Sequence, residues 1–357
     1  MKDFLIVGLG LAGISFSEIL YMHNKTFDVI SDDSQNSSVI AGGMYNPVVL
    51  KRYSEVWKAK EQLEIAMPIY HQIQNRLNNQ FINPMPVYRK FASIEEQNNW
   101  FIAADKPSMS TFLSTQLIKI NVPAIYAPYG YGEVLHSGYL DTKLLKDCYA
   151  SSLISNAQLY AERFDYSNLE IFDDYVVYND KKYAKIVFSD GFGLHDNPYF
   201  NNLPLDGTKG ELLIIKAPDL KIDFILKSSI FIMPIGNDLY KVGATYNWTD
   251  KTDKITEEGK KELITELEQL INCHYEIVNH FAGVRPTVRD RRPLVGQHFK
   301  HSNLFVLNGL GTRGVMFGPF LAKALYDSIY NGISLDKEIN INRIYKKLDI
   351  RIQHKNA

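Results

Sequence analysis

The sequence predicts an α/β protein that contains two sheets of different kinds. The N-terminus combines a short apolar run, a glycine-rich turn and a helical repeat of apolar residues, which is the order of a parallel strand-turn-helix unit. The middle of the chain instead contains aromatic and β-branched runs separated by turn residues, which favour antiparallel strands. A length of 357 residues exceeds one ordinary core. We therefore expect two domains.

The first strand, turn and helix carry a nucleotide-binding pattern. Residues 4–7 are apolar, Gly8, Gly10 and Gly13 follow with the spacing G-x-G-x-x-G, and a second strand is expected at residues 27–30. In such a turn the first glycine allows a tight bend, the second admits a pyrophosphate, and the third lets the helix pack on the sheet. We assign these turn residues to a bound dinucleotide: Gly8, Gly10, Leu11, Ala12 and Gly13. A helix-packing loop without a nucleotide is the structural alternative.

An acidic residue is expected at the end of the second strand, where it would bind a ribose hydroxyl. The equivalent position by count is Ser31, and Asp32 follows one place later. We choose Asp32 as the ribose ligand, although it is displaced from the usual pattern.

The region after this unit predicts further turns, helices and a second sheet. A second small-residue turn has the sequence GGMYNP, which begins at Gly42. Helices are expected within residues 54–79, 138–153 and 256–271. The runs typical of strands in a largely antiparallel sheet are residues 175–178, 185–188, 212–215, 230–235 and 239–244.

Composition and charge argue against several classes of function. The chain is 45% hydrophobic and 22% charged, with no apolar run long enough to span a bilayer. Its apolar start is too short and too rich in glycine for a signal peptide, so we expect a cytoplasmic protein. A formal net charge of -1 gives no general attraction for nucleic acid. Cys148 and Cys273 are far apart and no histidines have metal-ligand spacing, so we expect neither a disulfide framework nor a bound metal.

A glycine-rich segment near the C-terminus predicts a second place for negative charge. Residues 308–319, NGLGTRGVMFGP, contain four glycines and one arginine just before an apolar helical pattern. A turn that leads into a helix presents free N–H groups and the positive end of the helix dipole. Pro319 lacks an N–H and suits the first turn of that helix. The residues of this segment that we expect to bind the negatively charged group are Gly309, Gly311, Thr312, Arg313, Gly314 and Val315.

Taken in order, several blocks resemble the FAD-dependent D-amino acid oxidase and glycine oxidase family. They are the N-terminal glycine turn, SSVIAGGMYNP, GYLDT, IVFSDG, LDGTKGEL, YKVGAT, FAGVRPTVRDRRPLVGQ and LFVLNGLGTRGVMFGPFLAKAL, which together cover almost the whole chain. GLGTRG and GGMYNP are more similar to the FAD module of the bifunctional bacterial enzyme that processes a modified wobble uridine of tRNA. Glu211 departs from the family, which often has glutamine there.

The resemblance implies roles for two arginines and further cofactor ligands. Arg285, in the G-x-R-P block, would hold the carboxylate of a substrate through its planar guanidinium, and an ion pair with Asp290 is the structural alternative. The C-terminal glycine turn would lie along the flavin. Arg313 would either approach the flavin or the substrate, or act as a structural clamp. Further FAD ligands implied by the matching blocks are Gly42, Gly43, Met44 and Gly191.

The same resemblance implies a domain organisation and a reaction. A Rossmann-like FAD-binding domain would comprise residues 1–53, 131–203 and 281–357, and a substrate domain with a mainly antiparallel sheet plus helices would comprise residues 54–130 and 204–280. The substrate would be a small carboxylate-bearing amine, either an amino acid or an N-substituted glycine. Hydride transfer from the carbon beside its nitrogen to flavin N5 would give an imine, which water hydrolyses. Oxygen or another electron acceptor would reoxidise the flavin.

The sequence leaves three other functions open. One is a stand-alone tRNA-modifying flavoenzyme that removes a carboxymethyl group from a wobble uridine, because a carboxymethylamine is an N-substituted glycine. Its phosphate contacts would come from Arg289, Arg291, Arg292 and the basic segment 342–357, whose usual meaning is a solvated helix. The others are an FAD-binding module without turnover and a nicotinamide-dependent dehydrogenase.

Overall fold

The computed structural model describes residues 1–32 and 34–347. The α-helices are α1 (Leu11–Met22), α2 (Ser37–Ile40), α3 (Ala59–Leu77), α4 (Ile94–Ala104), α5 (Thr142–Ser155), α6 (Glu257–Glu268) and α7 (Gly314–Tyr330). Short 3₁₀ helices span Tyr166–Asn168 and Gly191–Asp196. The strands are β1 (Lys2–Val7), β2 (Phe27–Ile30), β3 (Met44–Tyr45), β4 (Val48–Val49), β5 (Ser54–Glu55), β6 (Ile82–Pro84), β7 (Val87–Lys90), β8 (Leu113–Ile118), β9 (Tyr131–Val134), β10 (Gly138–Leu140), β11 (Leu159–Tyr160), β12 (Leu169–Ile171), β13 (Val176–Tyr178), β14 (Lys181–Phe188), β15 (Thr208–Lys216), β16 (Ile225–Lys227), β17 (Phe231–Pro234), β18 (Leu239–Gly243), β19 (Glu276–Arg285), β20 (Leu294–Gln297) and β21 (Leu304–Asn308).

The first sheet contains the parallel unit that the N-terminus predicts. β1 lies at its centre and pairs in parallel with β2 on one side and with β14 on the other. β11 pairs in parallel with β2, and β21 pairs in parallel with β14. β12, β13 and β20 add antiparallel pairs. Because neighbouring parallel strands end at the same edge, the turns that follow β1, β2, β14 and β21 converge there.

Helices α1 and α7 pack against each other although they come from opposite ends of the sequence. The contact depends on glycines in α7. A Cβ added at Gly318 would lie 2.7 Å from the Ser15 hydroxyl oxygen, and one at Gly314 would lie 2.9 Å from the Leu11 side chain. This close approach brings together the two glycine-rich turns that precede the helices.

Pro319 lies in the second turn of α7, not in the first as the sequence suggested, because the helix begins at Gly314. Proline has no N–H to donate to the carbonyl four residues earlier, which belongs to Val315. That carbonyl instead accepts a hydrogen bond from the Tyr70 hydroxyl of α3 at 2.9 Å. The carbonyl that lacks a helical partner therefore forms a hydrogen bond that links α3 to α7.

The second sheet has the strand order β19-β15-β18-β17-β16-β7-β9-β8. Its pairs are antiparallel except for the parallel pair of β16 with β7. α6 begins after Thr256, whose hydroxyl oxygen accepts a hydrogen bond from the Gly259 N–H at 3.0 Å. Leu263 and Leu267 of α6 pack into a core shared with this sheet. The prediction of a second, mainly antiparallel sheet with helices is confirmed.

The sequence assigned two strands to the wrong sheet. Local composition favoured the antiparallel sheet for β13 and β14, whereas the resemblance placed residues 131–203 in the FAD-binding domain. β14 pairs in parallel with β1 and β21, and β13 pairs with β14. Local composition predicts a strand without identifying its partner, which explains the error. β9 begins at the predicted boundary at residue 131, β19 crosses the one at residue 281, and both belong to the second sheet. The domain boundaries stay a prediction.

A small antiparallel sheet of β3, β10 and β6 holds the GGMYNP turn. The Leu140 N–H donates a hydrogen bond to the Gly43 carbonyl at 2.9 Å.

Through the described residues, no helix combines the length and the apolar character that crossing a membrane requires.

Candidate functional site

A cavity of about 500 Å³ lies where the turns at the carboxyl edge of the first sheet face the second sheet. Side chains and backbone of β15, β16, β17 and β19 form the opposite part of its wall. The predicted site residues that line it are Gly8, Gly10, Leu11, Ala12, Asp32, Gly42, Gly43, Met44, Gly191, Arg285, Gly311, Thr312, Arg313, Gly314 and Val315. The fold thus brings residues from both ends of the sequence around one space.

The N-terminal turn places bare backbone on the wall. Gly8 has a φ of 100°, and a Cβ added there would lie 2.4 Å from the Ser189 carbonyl oxygen. Gly13 lies behind the wall, where an added Cβ would be 2.0 Å from the Gly8 carbonyl oxygen. Gly10 provides no side-chain cap for α1. The Leu11 N–H donates to the Ser38 hydroxyl oxygen at 3.2 Å, so one of the first amides of α1 has a side-chain partner. The cavity receives the N-terminus of this helix, where anions are stabilised.

The C-terminal turn makes a second approach of the same kind. α7 begins beside the cavity, and the side chain of its cap residue, Arg313, makes no hydrogen bond to the first amides of the helix. Gly311 has a φ of 57°, and its N–H donates to the Pro286 carbonyl at 3.0 Å. Gly309 does not line the cavity, because it packs against Val288, which an added Cβ would approach to 2.5 Å. Both glycine turns thus present a helix N-terminus to one cavity.

The GGMYNP turn closes a third side of the wall. A Cβ added at Gly42 would lie 2.9 Å from the ring of Phe231 in β17. Gly43 has a φ of 72°, and an added Cβ would be 2.1 Å from the Leu140 carbonyl oxygen. Larger residues would push the turn away from both neighbours.

Ser31 and Asp32, the two residues that follow β2, both line the cavity. The Ser31 hydroxyl oxygen accepts a hydrogen bond from the Leu9 N–H at 3.2 Å. Asp32 Oδ1 accepts hydrogen bonds from the Ser34 hydroxyl at 2.6 Å and from the Ser34 N–H at 3.2 Å. Asp32 therefore shapes its own turn and keeps Oδ2 for a ligand, as far as the described residues show.

Asp190, which the sequence analysis did not select, lies on the wall after β14. Its carboxylate accepts hydrogen bonds from the side-chain amides of Asn308 at 2.9 Å and Asn197 at 3.0 Å. Asn308 also donates to the Gly191 carbonyl at 3.0 Å. Desolvation raises the pKa of Asp190 to about 6. The network connects the turn after β14 to Asn308, at the start of the C-terminal glycine turn. An acidic residue two places after a strand with a buried end is the sequence signal that points to Asp190.

Arg285 ends β19 and lies in the cavity wall beside Gly210 of β15. A Cβ at Gly210 would lie 1.9 Å from Arg285 Nη2, so the guanidinium occupies the space that this glycine leaves. Its Nη1 and Nη2 donate to the Thr245 carbonyl at 3.3 and 3.4 Å, and its guanidinium carbon lies 4.6 Å from the centre of the Tyr246 ring. Burial lowers the pKa of Arg285, but an arginine stays charged at neutral pH.

Asp290, which the sequence left open as a partner of Arg285, forms its ion pair with another arginine. Asp290 pairs with Arg343, with Nε 3.1 Å from Oδ2, and in the described part of the chain no carboxylate pairs with Arg285. Among the other arginines of the block, Arg292 pairs with Glu338, and the Arg291 guanidinium lies 5.4 Å from the Trp248 ring centre. The structural ion pair that the sequence left open for Arg285 is therefore wrong.

Arg313 reaches back across the cavity to the GGMYNP turn. Its Nη1 donates to the Asn46 carbonyl at 3.1 Å. Burial lowers the pKa of Arg313 to about 10. The loop clamp is therefore present, and the side chain also lines the cavity.

Further residues reach the cavity that the sequence alone did not single out. Lys227 of β16 and Tyr246, which is 59% exposed, both line it. Their positions come from long-range pairing of strands, and no local motif marks them. In the ranges 1–32 and 34–347, no group of three or more His, Cys, Asp or Glu side chains is arranged to hold a metal.

The chain matches one family over most of its length. Residues 3–328 match the family described as DAO, FAD dependent oxidoreductase. The fold is similar to that of glycine oxidase from Geobacillus kaustophilus, with a TM-score of 0.74 and 18% identity over 95% of this chain and 99% of that one. It is also similar to iminodiacetate oxidase from Chelativorans sp. BNC1, with a TM-score of 0.75 and 15% identity over 94% and 98% of the two chains. At these identities the likeness shows a shared fold.

Parts of the chain are also similar to a bifunctional protein of tRNA 5-methylaminomethyl-2-thiouridine biosynthesis. The protein from Campylobacter jejuni subsp. doylei is 29% identical over 119 residues, which is 33% of this chain and 19% of that protein. The protein from Shewanella halifaxensis is 25% identical over 210 residues, which is 46% of this chain and 32% of that protein. The matched segments span less than a third of the length of these bifunctional relatives.

Proposed function

The chain belongs to the DAO family of FAD-dependent oxidoreductases, and on this premise we propose that it oxidises the C–N bond of a small amino acid or an N-substituted glycine. The observation that carries the proposal is Arg285, a half-buried guanidinium that lines the cavity without a carboxylate partner among the described residues. A planar guanidinium binds both oxygens of a carboxylate in a fixed orientation. The family assignment makes a nicotinamide-dependent reaction and a module without turnover weaker alternatives.

The wall of the cavity fits FAD. The close backbone approaches at Gly8 and Gly13 leave room for a pyrophosphate, and two helix N-termini whose own cap residues make no side-chain cap bond face the same space. We assign the dinucleotide part to the N-terminal turn and Asp32, and the flavin part to the turn before α7. The residues assigned to FAD are Gly8, Gly10, Leu11, Ala12, Asp32, Gly42, Gly43, Met44, Gly191, Gly311, Thr312, Arg313, Gly314 and Val315. Gly13 and Gly309 support these turns from behind.

The protein contributes mainly position and electrostatics. When bound, FAD supplies the acceptor for a hydride from the carbon beside the amine nitrogen. Arg285 holds the substrate carboxylate and so fixes which C–H bond is presented. The N-terminus of α7 stabilises negative charge close to its amides, and the apolar side chains of Phe231 and Leu212 help to exclude water. Arg313 keeps the GGMYNP turn against the α7 end of the cavity.

Anaerobic bleaching of the flavin tests this function. The FAD-loaded protein is mixed with glycine, N-methylglycine or iminodiacetate without oxygen, and the flavin absorbance is followed. We expect at least one of these carboxylates to bleach the flavin, and methylamine and dimethylamine, which lack a carboxylate, to leave it oxidised. Full flavin occupancy without bleaching by any amino carboxylate would overturn the proposal.

A second candidate function is the removal of a carboxymethyl group from a tRNA base. It is favoured by exposed aromatic residues near cationic ones: Tyr246 lines the cavity, Trp248 is 42% exposed, and Arg291 lies against its ring. Exposed rings and arginines together suit stacked bases and phosphates. The partial similarity to the bifunctional tRNA enzymes supports the same candidate. Part of the basic segment assigned to phosphate contacts, residues 348–357, lies outside the described residues.

Salt-dependent tRNA binding separates the two candidates. If tRNA is the substrate, the full chain should bind it with an affinity that falls steeply as salt rises, and Arg291→Ala should reduce that slope by about one. Lys216→Ala, a change at an exposed lysine at the end of β15, provides a charge-matched control. Absence of binding at low salt would remove this candidate and leave the small-substrate function standing.

A further inference from the structure

Lys227 is an ammonium group in the cavity wall without a close partner. It ends β16, next to the turn into β17, and lines the cavity together with Phe231. The acceptor within reach of its Nζ in the described residues is the Ser229 carbonyl, at the long distance of 3.5 Å. No carboxylate of the described part of the chain pairs with it.

The charged neighbour of Lys227 offers no compensation. Arg89 of β7 is positively charged and lowers the pKa of Lys227 further. The nearby carboxylate, Glu96, is paired with Arg89: its Oε1 lies 2.6 Å from Arg89 Nη2 and 2.8 Å from Arg89 Nε. The remaining Arg89 donor, Nη1, is bound to the Ser228 carbonyl at 2.8 Å. Glu96 is therefore committed to Arg89 and does not balance Lys227.

Two other lysines in this sheet have closer partners than Lys227, which is itself half-buried. Lys241 of β18 donates to the Ala41 carbonyl at 3.2 Å, and Lys209 of β15 pairs with Asp250 at 2.5 Å. Desolvation, with a smaller effect of Arg89, lowers the pKa of Lys227 to about 8, so the uncompensated charge has a free-energy cost. A bound anion would remove that cost. Lys51, which is exposed, lines the cavity as well and adds positive potential.

We infer that Lys227 forms a second anion subsite, so that the substrate carries a negatively charged group in addition to the carboxylate assigned to Arg285. The inference rests on the proposed function, because it places both groups in one ligand. It makes Lys227 a specificity residue that favours dianionic amines over glycine or N-methylglycine. The second anion is a carboxylate, as in an N-carboxymethyl amino acid, or a phosphate.

Unreactive thioethers test the inference by binding alone. In (methylthio)acetate, thiodiacetate and (phosphonomethylthio)acetate, sulfur replaces the amine nitrogen, and the three carry one carboxylate, two carboxylates, and a carboxylate with a phosphonate. Their affinities for the FAD-loaded protein are measured from changes in the flavin absorption spectrum. We expect a dianionic thioether to bind at least about tenfold more tightly than (methylthio)acetate, since a charge-assisted hydrogen bond is gained. The stronger of the two dianions identifies a carboxylate or a phosphate as the second group.

Variants then assign the preference to Lys227. Lys227→Met should abolish the preference for dianionic thioethers while leaving (methylthio)acetate affinity and flavin content unchanged. Lys227→Arg should keep most of this preference. Lys216→Met, the control, should not affect it. A wild-type protein without the preference, or a Lys227→Met protein that keeps it, overturns the inference.

Arg285→Ala distinguishes this failure from failure of the proposed function. If Arg285→Ala weakens all three thioethers and Lys227→Met changes none, only the second subsite is wrong. If Arg285→Ala weakens none of them, or if the wild type binds none, the carboxylate assignment fails and the inference falls with it.

Discussion

The two ends of the cavity differ in the sign of their charged side chains and in the partners that those side chains have. At the end formed by the first sheet, acidic side chains are held by neighbours: Asp190 by two asparagine amides and Asp32 by Ser34. At the end formed by the second sheet, Arg285 and Lys227 lie in the wall with backbone carbonyls as partners and no carboxylate among the described residues. The first end is organised around backbone shape, and the second around positive charge available to a ligand.

This difference separates cofactor binding from substrate binding. Glycines at the first end bring main chain within a few ångströms of main chain, so added atoms there collide with groups that cannot move. At the second end the neighbours are flexible side chains. Substitutions at the first end should therefore remove FAD, and substitutions at the second end should leave FAD bound and weaken the substrate.

The largest effect is expected for Gly13→Val. The new side chain would meet the Gly8 carbonyl, because even a Cβ lies 2.0 Å from that oxygen. We expect purified protein with little or no FAD, measured as the ratio of flavin to protein absorbance. Gly236→Val is the control, since no atom lies within 4 Å of a Cβ added at Gly236, whose φ of 90° strains the backbone of the variant without any steric contact. Normal flavin content in Gly13→Val would contradict the role of the first end.

A smaller effect is expected for Gly210→Ala at the second end. The added Cβ would displace the Arg285 guanidinium, whose Nη2 lies 1.9 Å from the Cβ position. We expect FAD content to be unchanged and kcat/KM for an amino carboxylate to fall by about 10- to 100-fold, as for a misplaced positioning group. Steady-state kinetics on the FAD-loaded variant measure this. Loss of FAD in this variant would break the distinction between the two ends.

The smallest effect concerns the pH dependence of stability at Asp190. Its pKa in the folded protein is about 6, above its ordinary value of 3.8, so folded protein binds this proton more tightly than unfolded protein does. Stability from this group is thus greatest below pH 4 and is lost as pH rises toward 6, by about 3 kcal/mol at most. Asp190→Asn removes the titration. Urea denaturation of the FAD-free proteins should show the stability difference shifting in favour of the variant between pH 4.5 and pH 7, and a constant difference would contradict the assignment.

Local sequence patterns predicted the elements whose role is local. The N-terminal turn, the strand at 27–30 and the helix within residues 256–271 follow from residue types in nearby positions. The sheet that contains β14, the start of α7 ahead of Pro319 and the role of Gly309 as packing depend on distant partners, such as Tyr70 and Val288. Arg285 was selected only through resemblance to a family. Asp190 was missed although its position after β14 is a sequence signal, and Lys227 was missed because only tertiary contacts distinguish it from other basic residues.

The proposed reaction depends most on Arg285 as the carboxylate ligand beside FAD. Rapid mixing without oxygen measures the rate of flavin bleaching against substrate concentration for the wild type and for Arg285→Lys, which keeps the charge but loses the planar fork. We expect equal flavin content and a second-order rate constant for bleaching that is lower by about 100-fold in the variant, because the two-point contact is lost. The same rate constant in both proteins would contradict the account.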